Sequence, residues 1–114
     1  MGSGISAGLA WALLGGAIAA EVIATTSMKL SDGLSRTGPV VVMVLGYLIA
    51  FSLLGLALKR IEIGIAYAIW SGVGTALIAT IGIVAFGESL NPIKLASLGL
   101  IVAGVIGLNL SGGH

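Results

Sequence analysis

Four long apolar stretches, about Ala7 to Met28, Pro39 to Leu58, Ile63 to Phe86 and Ile93 to Leu110, take up most of the chain, and polar residues collect in the short gaps between them. At about 1.5 Å of rise per residue, each stretch is long enough to cross a hydrocarbon core of about 30 Å as a helix. None carries the polar stripe that a helix of a soluble bundle turns to water. The pattern therefore predicts an all-α membrane protein with four transmembrane helices per protomer, forming one domain over residues 1–114, with no separate soluble domain. Turn chemistry marks the gaps: Ser31-Asp32-Gly33 follows the first stretch, Pro39 suits the first turn of the second helix, and Asn91-Pro92 opens the fourth.

Composition agrees. Residues of the AVILMFWYC set make up 58% of the chain and charged residues 8%, against about 25% charged in soluble domains. Cysteine is absent, which excludes disulfides and thiolate metal sites, and no metal or cofactor is expected. A net charge of +1 carries no nucleic-acid signal. His114, in a Ser-Gly-Gly-His tail, reads as a chain-end feature. Met1-Gly2-Ser3-Gly4 reads as an added or flexible start, and without a basic region before the first apolar run a cleaved signal peptide is not expected.

Charge matters more in its distribution. With four spans, Lys59 and Arg60 lie on one side of the bilayer and Lys29, Arg36 and Lys94 on the other, so two basic residues oppose three. Orientation normally follows an excess of Lys and Arg in the cytoplasmic loops. So small a bias is compatible with insertion both ways up, which permits an antiparallel homodimer, and equally with a single orientation set by the extra cation. Size favours assembly: many transporters bind substrate near the midplane between two inverted repeats, and this chain is half that size with no internal repeat. Small residues let helices approach closely in lipid. Gly99, Ala103 and Gly107, at four-residue spacing with Gly104 beside them, read as a dimerisation face, the alternative being packing within one protomer.

The most informative residue is Glu21, inside the first span with no other charge within a helical turn. A charged side chain at the centre of a membrane helix costs about 2.5 to 3.5 kcal/mol on insertion scales, and such residues usually mark functional sites. At about 100° per residue, Ala10, Leu14, Ala17, Thr25 and Met28 share its face, flanked by Ile18 and Ala24. These mostly small neighbours leave room beside the carboxylate. Buried charges are usually paired, yet apart from Lys94 at the very start of the fourth, the four stretches contain no Lys, Arg or His. The missing cation is then a proton, a ligand or a partner; otherwise Glu21 stays permanently neutral as a hydrogen-bonding group.

A second constellation lies in the third span, Gly64-Ile-Ala-Tyr67-Ala-Ile-Trp70-Ser71-Gly72-Val-Gly74, where Tyr67, Trp70, Ser71 and Gly74 fall on one helix face. Membrane Tyr and Trp often form interfacial belts, which suits Tyr67 better than the deeper Trp70. Aromatic faces also attract organic cations, and next to a carboxylate they suit flat, greasy, positively charged molecules. Tyr47 and Phe51, four apart in the second span, extend that wall or serve packing alone. Gly72 and Gly74 are candidate hinge positions.

Ala20-Glu21-Val22-Ile23, the segment from Gly64 to Gly74 and the four-span length together resemble the small multidrug resistance transporters, over essentially the whole chain. The resemblance implies a proton-coupled exporter of a bacterial inner (cell) membrane, acting as an antiparallel homodimer in which Glu21 binds protons and substrate in turn, with Trp70, Tyr67 and Tyr47 touching substrate. Guanidinium exporters of that family typically carry a Trp three residues after the Glu and a Ser in the second span, where this chain has Ala24 and Ala50. The match is closer to the quaternary-ammonium exporters, as is Asn109-Leu110. Ser97 stands where a Gly is frequent in the fourth-span dimer motif.

The expected partners are therefore protons, small lipophilic organic cations, the lipid bilayer and a second copy of the chain. Competition follows from the residues themselves: a proton and a cationic drug seek one charge, and an empty anionic site is costly to move through hydrocarbon. The rivals are a rotor-ring or channel subunit that relays ions without an organic substrate, and one subunit of a heterodimeric polyamine or lipid exporter. A large aromatic wall has no use in the first, and the second should show a clear loop-charge bias.

Overall fold

The computed structural model describes residues 5–112; Met1–Gly4 and Gly113–His114 lie outside the described residues. Four helices follow in order, α1 (Ala7–Leu30), α2 (Thr37–Ala57), α3 (Ile63–Ala85) and α4 (Pro92–Gly112). All four are long and apolar enough to span a bilayer, and the described residues contain no strand. The fold is all-helical, as the apolar runs predict.

Local chemistry sets the ends. Leu9 N–H donates to the Ser6 hydroxyl at 3.0 Å and caps α1; Lys94 N–H donates to Asn91 Oδ1 at 2.8 Å and caps α4 ahead of Pro92. At its other end α1 runs past Met28 to include Lys29. The α3–α4 turn is closed by Gly87 at φ +67°, with Phe86 and Glu88 N–H both donating to Gly82 O at 3.2 and 3.0 Å. A left-handed glycine just past a helix is the usual way to satisfy its last carbonyls. Arg60 of the α2–α3 turn donates to Ile5 O at 3.0 Å, which holds that turn and the start of α1 on the same face.

α1 packs most extensively on α2 and also against α3, while α4 packs on α3. The core gathers Ala10, Leu14, Ile18 and Val22 of α1 with Ala50 and Ala57 of α2 and Ile65, Ala66, Ile69 and Trp70 of α3. At the α1–α2 crossing a Cβ on Gly46 would stand 2.9 Å from Ala24 Cβ and 3.2 Å from Ala20 O. Such close backbone approach is the main source of helix association in lipid, where apolar side chains gain nothing by leaving the solvent. Between α3 and α4 the same part is played by Gly72, where a Cβ would overlap Val105.

The protomer is a slab, 44 × 36 × 17 Å, and most large apolar side chains of α2 and α4 face outward, as expected where the solvent is lipid. No described residue of α4 is buried, and a Cβ on Gly99, Gly104 or Gly107 would meet nothing within 4 Å. Ala103 is exposed beside them. Within one protomer, the small-residue stripe of α4 therefore packs against nothing.

Candidate functional site

Glu21 reaches from the middle of α1 toward α3, which lacks a side chain where the carboxylate arrives: a Cβ on Gly74 would stand 2.9 Å from Glu21 Oε1. The other oxygen is held from its own helix. Thr25, one turn along, donates to Glu21 Oε2 at 2.6 Å, and the Thr25 and Tyr47 hydroxyls meet at 2.6 Å. A hydroxyl has one proton. With Thr25's committed to the carboxylate, Tyr47 is the donor in the second bond, and α2 supports the acid through a two-hydroxyl relay. The anchoring is by neutral donors; no cation of the described residues is bonded to Glu21.

The carboxylate opens on a cleft of about 640 Å³ between α1, α2 and α3, whose lining includes Thr25, Phe51, Tyr67, Trp70, Ser71 and Gly74. Its aromatic wall is continuous: Phe51 meets Trp70 edge-on at 5.3 Å between ring centroids and Tyr67 meets Trp70 at 6.2 Å, whereas Tyr47, 6.4 Å from Phe51, is not part of the lining and reaches the site through its hydroxyl on Thr25. Trp70 is buried and so held in place, whereas Phe51 and Tyr67 are about 60% exposed, leaving their faces free for a partner. Edge-to-face contact fixes ring orientation, and aromatic faces near a carboxylate attract lipophilic cations.

Not every residue of the Glu21 face is on the cleft. Leu14, Ala17 and Ile18 are buried in the core and are not part of the lining. Gly72 and Gly74 lie in an uninterrupted α3, where they are points of close approach to Val105 and Glu21. Conversely, the cleft extends past Glu21 along Thr26, Thr75, Ile78, Ala79, Ile81 and Gly82 to Lys29, Phe86 and Glu88 at its mouth. The periodicity of α3 continues Gly74 to Ile78, Ile81 and Gly82, and would have pointed to these positions. Lys29 does not pair with Glu21: eight residues along α1 place it about 12 Å away, and its ammonium sits 5.9 Å from the centre of the Phe86 ring.

The closeness of Gly74 to Glu21 gives a direct test. Gly74→Ala forces the carboxylate off α3 and strains the Thr25 bond, so cation binding measured in detergent should weaken by about tenfold, on the scale of a hydrogen bond to a charged group. Unchanged binding would mean that the site does not depend on this approach.

The Small Multidrug Resistance protein family profile matches residues 9–101. QacF, a quaternary ammonium compound-resistance protein of Klebsiella aerogenes, is 48% identical over 100 residues, covering 88% of this chain and 91% of its own. A multidrug transporter of Pseudomonas aeruginosa is 45% identical over 94 residues, 82% of this chain and 86% of that one, and the guanidinium exporter of Escherichia coli is 44% identical over 103 residues, 90% and 98% respectively. A four-helix membrane fold with an acid-bearing cleft thus defines a small transporter, and the chain belongs to the small multidrug resistance family. It is a multi-pass protein of the bacterial inner (cell) membrane, and the relatives it matches are named as exporters and resistance proteins.

Proposed function

We propose that this protein exports lipophilic and quaternary ammonium cations in exchange for protons, by alternating access in an antiparallel homodimer, with Glu21 of each protomer holding a proton or a drug but not both. The observation that carries this reading is a carboxylate inside a membrane span, anchored only by hydroxyls and open to an aromatic cleft. Among the described residues it has no resident countercharge, so its cation must come and go.

Overall identity does not separate the substrate classes, since quaternary-ammonium and guanidinium relatives match about equally well. The local packing favours the first. Ala24 has no exposed surface and lies against Gly46, and Ala50 is equally buried in the core, so the two positions add neither a large ring nor a hydroxyl to the site. The large side chains of the remaining walls are aromatic and aliphatic, interrupted by the hydroxyls of Thr25, Thr26, Ser71 and Thr75, a surface suited to a cation whose charge is wrapped in carbon. A guanidinium ion would ask for several acceptors in its plane, and among the described residues Glu21 is the only carboxylate deep in the cleft, with neutral hydroxyls alone to supplement it there.

Antiparallel assembly is supported by the near-balanced loop charge and by the open face of α4. Because the chain has no cysteine, single cysteines at Lys29 and at Lys59 report sidedness cleanly. Dual insertion predicts that an impermeant thiol reagent labels about half of the copies at each position; labelling of one position alone would exclude it. Transport itself is tested in proteoliposomes, where an imposed proton gradient should drive uptake of tetraphenylphosphonium against its concentration and collapse of the gradient should stop it. Uptake indifferent to the gradient would remove proton coupling from the account.

The relay makes a further expectation. Thr25→Val removes the hydroxyl that bonds Glu21 and receives Tyr47, and should weaken the anchoring enough to change cation affinity by about tenfold. Tyr47→Phe leaves the Thr25 bond in place and should have the smaller effect. The reverse order would show that the carboxylate is not held through Thr25.

A further inference from the structure

Beyond Glu21, one other carboxylate lines the same cleft, that of Glu88 at the mouth. We propose that Glu88 and the Phe86 ring form a second cation subsite, so that the cleft takes elongated dications with one charge at Glu21 and the other at Glu88. The inference rests on the reading that Glu21 binds organic cations.

The two acids occupy equivalent positions along α3. Glu21 lies against Gly74, and the Glu88 carboxylate lies against Gly82, where a Cβ would overlap it. These glycines are eight residues apart, which at about 1.5 Å per residue separates the two charges by about 12 Å along the helix. At about 100° per residue the same step returns to within about 80° of the starting azimuth, so both lie toward the cleft. Between them the cleft is lined by Ile78, Ala79 and Ile81, with Thr26 and Thr75 beside them, a mainly apolar surface that suits a methylene chain. Glu88 is aimed back over α3 by the turn at Gly87, with its own N–H bonded to Gly82 O at 3.0 Å.

The outer position already holds a cation. Lys29 Nζ rests over the Phe86 ring at 5.9 Å, the distance range at which ammonium groups are attracted to an aromatic face. In this structure the chain's own side chain occupies the place that the distal charge of a dication would take, and both Lys29 and Phe86 are on the cleft. Lys29 is exposed and is free to swing aside.

The experiment compares two series of ligands by quenching of tryptophan fluorescence in detergent: bis(trimethylammonium) alkanes of increasing length, and single-headed alkyl trimethylammonium ions of matching chain length, with tetraphenylphosphonium as a reference monocation. The single-headed series corrects for the gain in affinity that each added methylene brings. The second charge should add affinity only when the spacing reaches about 12 Å, and in Glu88→Gln that added preference should fall by about fivefold, the upper range for an exposed ion pair. Gly82→Ala, which displaces the Glu88 carboxylate without removing it, should reduce the same preference, and Lys29→Met should enlarge it. If tetraphenylphosphonium binds but the second charge gives no gain at any length, or the gain survives in Glu88→Gln, the outer subsite is wrong while the Glu21 site stands. If tetraphenylphosphonium itself does not bind, the reading of Glu21 fails and this inference with it.

Discussion

Glu21→Gln should weaken binding of a lipophilic cation by roughly 30-fold or more, the effect of removing one partner from a close, poorly solvated charge pair, and should leave what binding remains independent of proton concentration. The substitution keeps the shape of the side chain and its ability to accept from Thr25, which donates to Glu21 Oε2 at 2.6 Å in the wild type, so the fold is not expected to suffer. Gln also fits beside Gly74, where the space is open to Oε1 at 2.9 Å from a would-be Cβ. What is lost is the charge alone. Isothermal titration with tetraphenylphosphonium measures the effect, and thermal unfolding in the same detergent checks that the variant is intact. A folded Gln variant that binds the cation as tightly as wild type would place the binding charge elsewhere.

The second large effect should come from a residue that touches no substrate. Gly46→Leu puts a side chain into the α1–α2 crossing, where even a Cβ would lie 2.9 Å from Ala24 Cβ, 3.2 Å from Ala20 O and 3.3 Å from Ala24 Cα. The last two are backbone atoms and cannot rotate away, so the helices must separate. Overpacking of this kind costs about 1 to 3 kcal/mol, and here it falls on the most extensive helix contact of the protomer. The site should fail with it, because Tyr47, the next residue, bonds Thr25 at 2.6 Å across that crossing. The expected result is a lowered unfolding midpoint with weakened cation binding; a variant with native stability would show that α1 and α2 do not approach this closely in the membrane.

The four spans were legible because hydrocarbon allows few alternatives: each long apolar run must satisfy its backbone internally, and a helix does so. Their ends moved slightly where local caps override hydropathy, as at Lys29, which the helix retains, and Asn91, whose side chain caps Lys94. The Glu21 and Tyr67–Trp70 constellations were also legible, the first from its isolation and the second from helical spacing. Helical spacing failed to say which neighbours of Glu21 face the cleft. Leu14, Ala17 and Ile18 share its stripe but turn into the core, because a helix inside a bundle meets α2 and α3 over a wide arc and one sequence stripe serves both contacts. The cleft's outer half went unread for a different reason. Phe86 and Glu88 lie at a helix end and in a turn, where no periodicity operates and the direction of a side chain depends on the left-handed Gly87.

Gly46 shows the limit of reading small residues from spacing. The stripe of α4 has regular four-residue spacing and an open face, yet the tight α1–α2 contact is made by Gly46 with Ala20 and Ala24, which are themselves four residues apart on α1, so the same spacing marks a packed seam in one helix and an uncovered face in another.

One measurement bears most directly on the claim that a proton and a drug exchange at Glu21. Adding tetraphenylphosphonium to detergent-solubilised protein in a weakly buffered solution, with pH followed throughout, should release protons in proportion to the cation bound, and Glu21→Gln should release none. Full binding by the wild-type protein with no proton released would contradict the account.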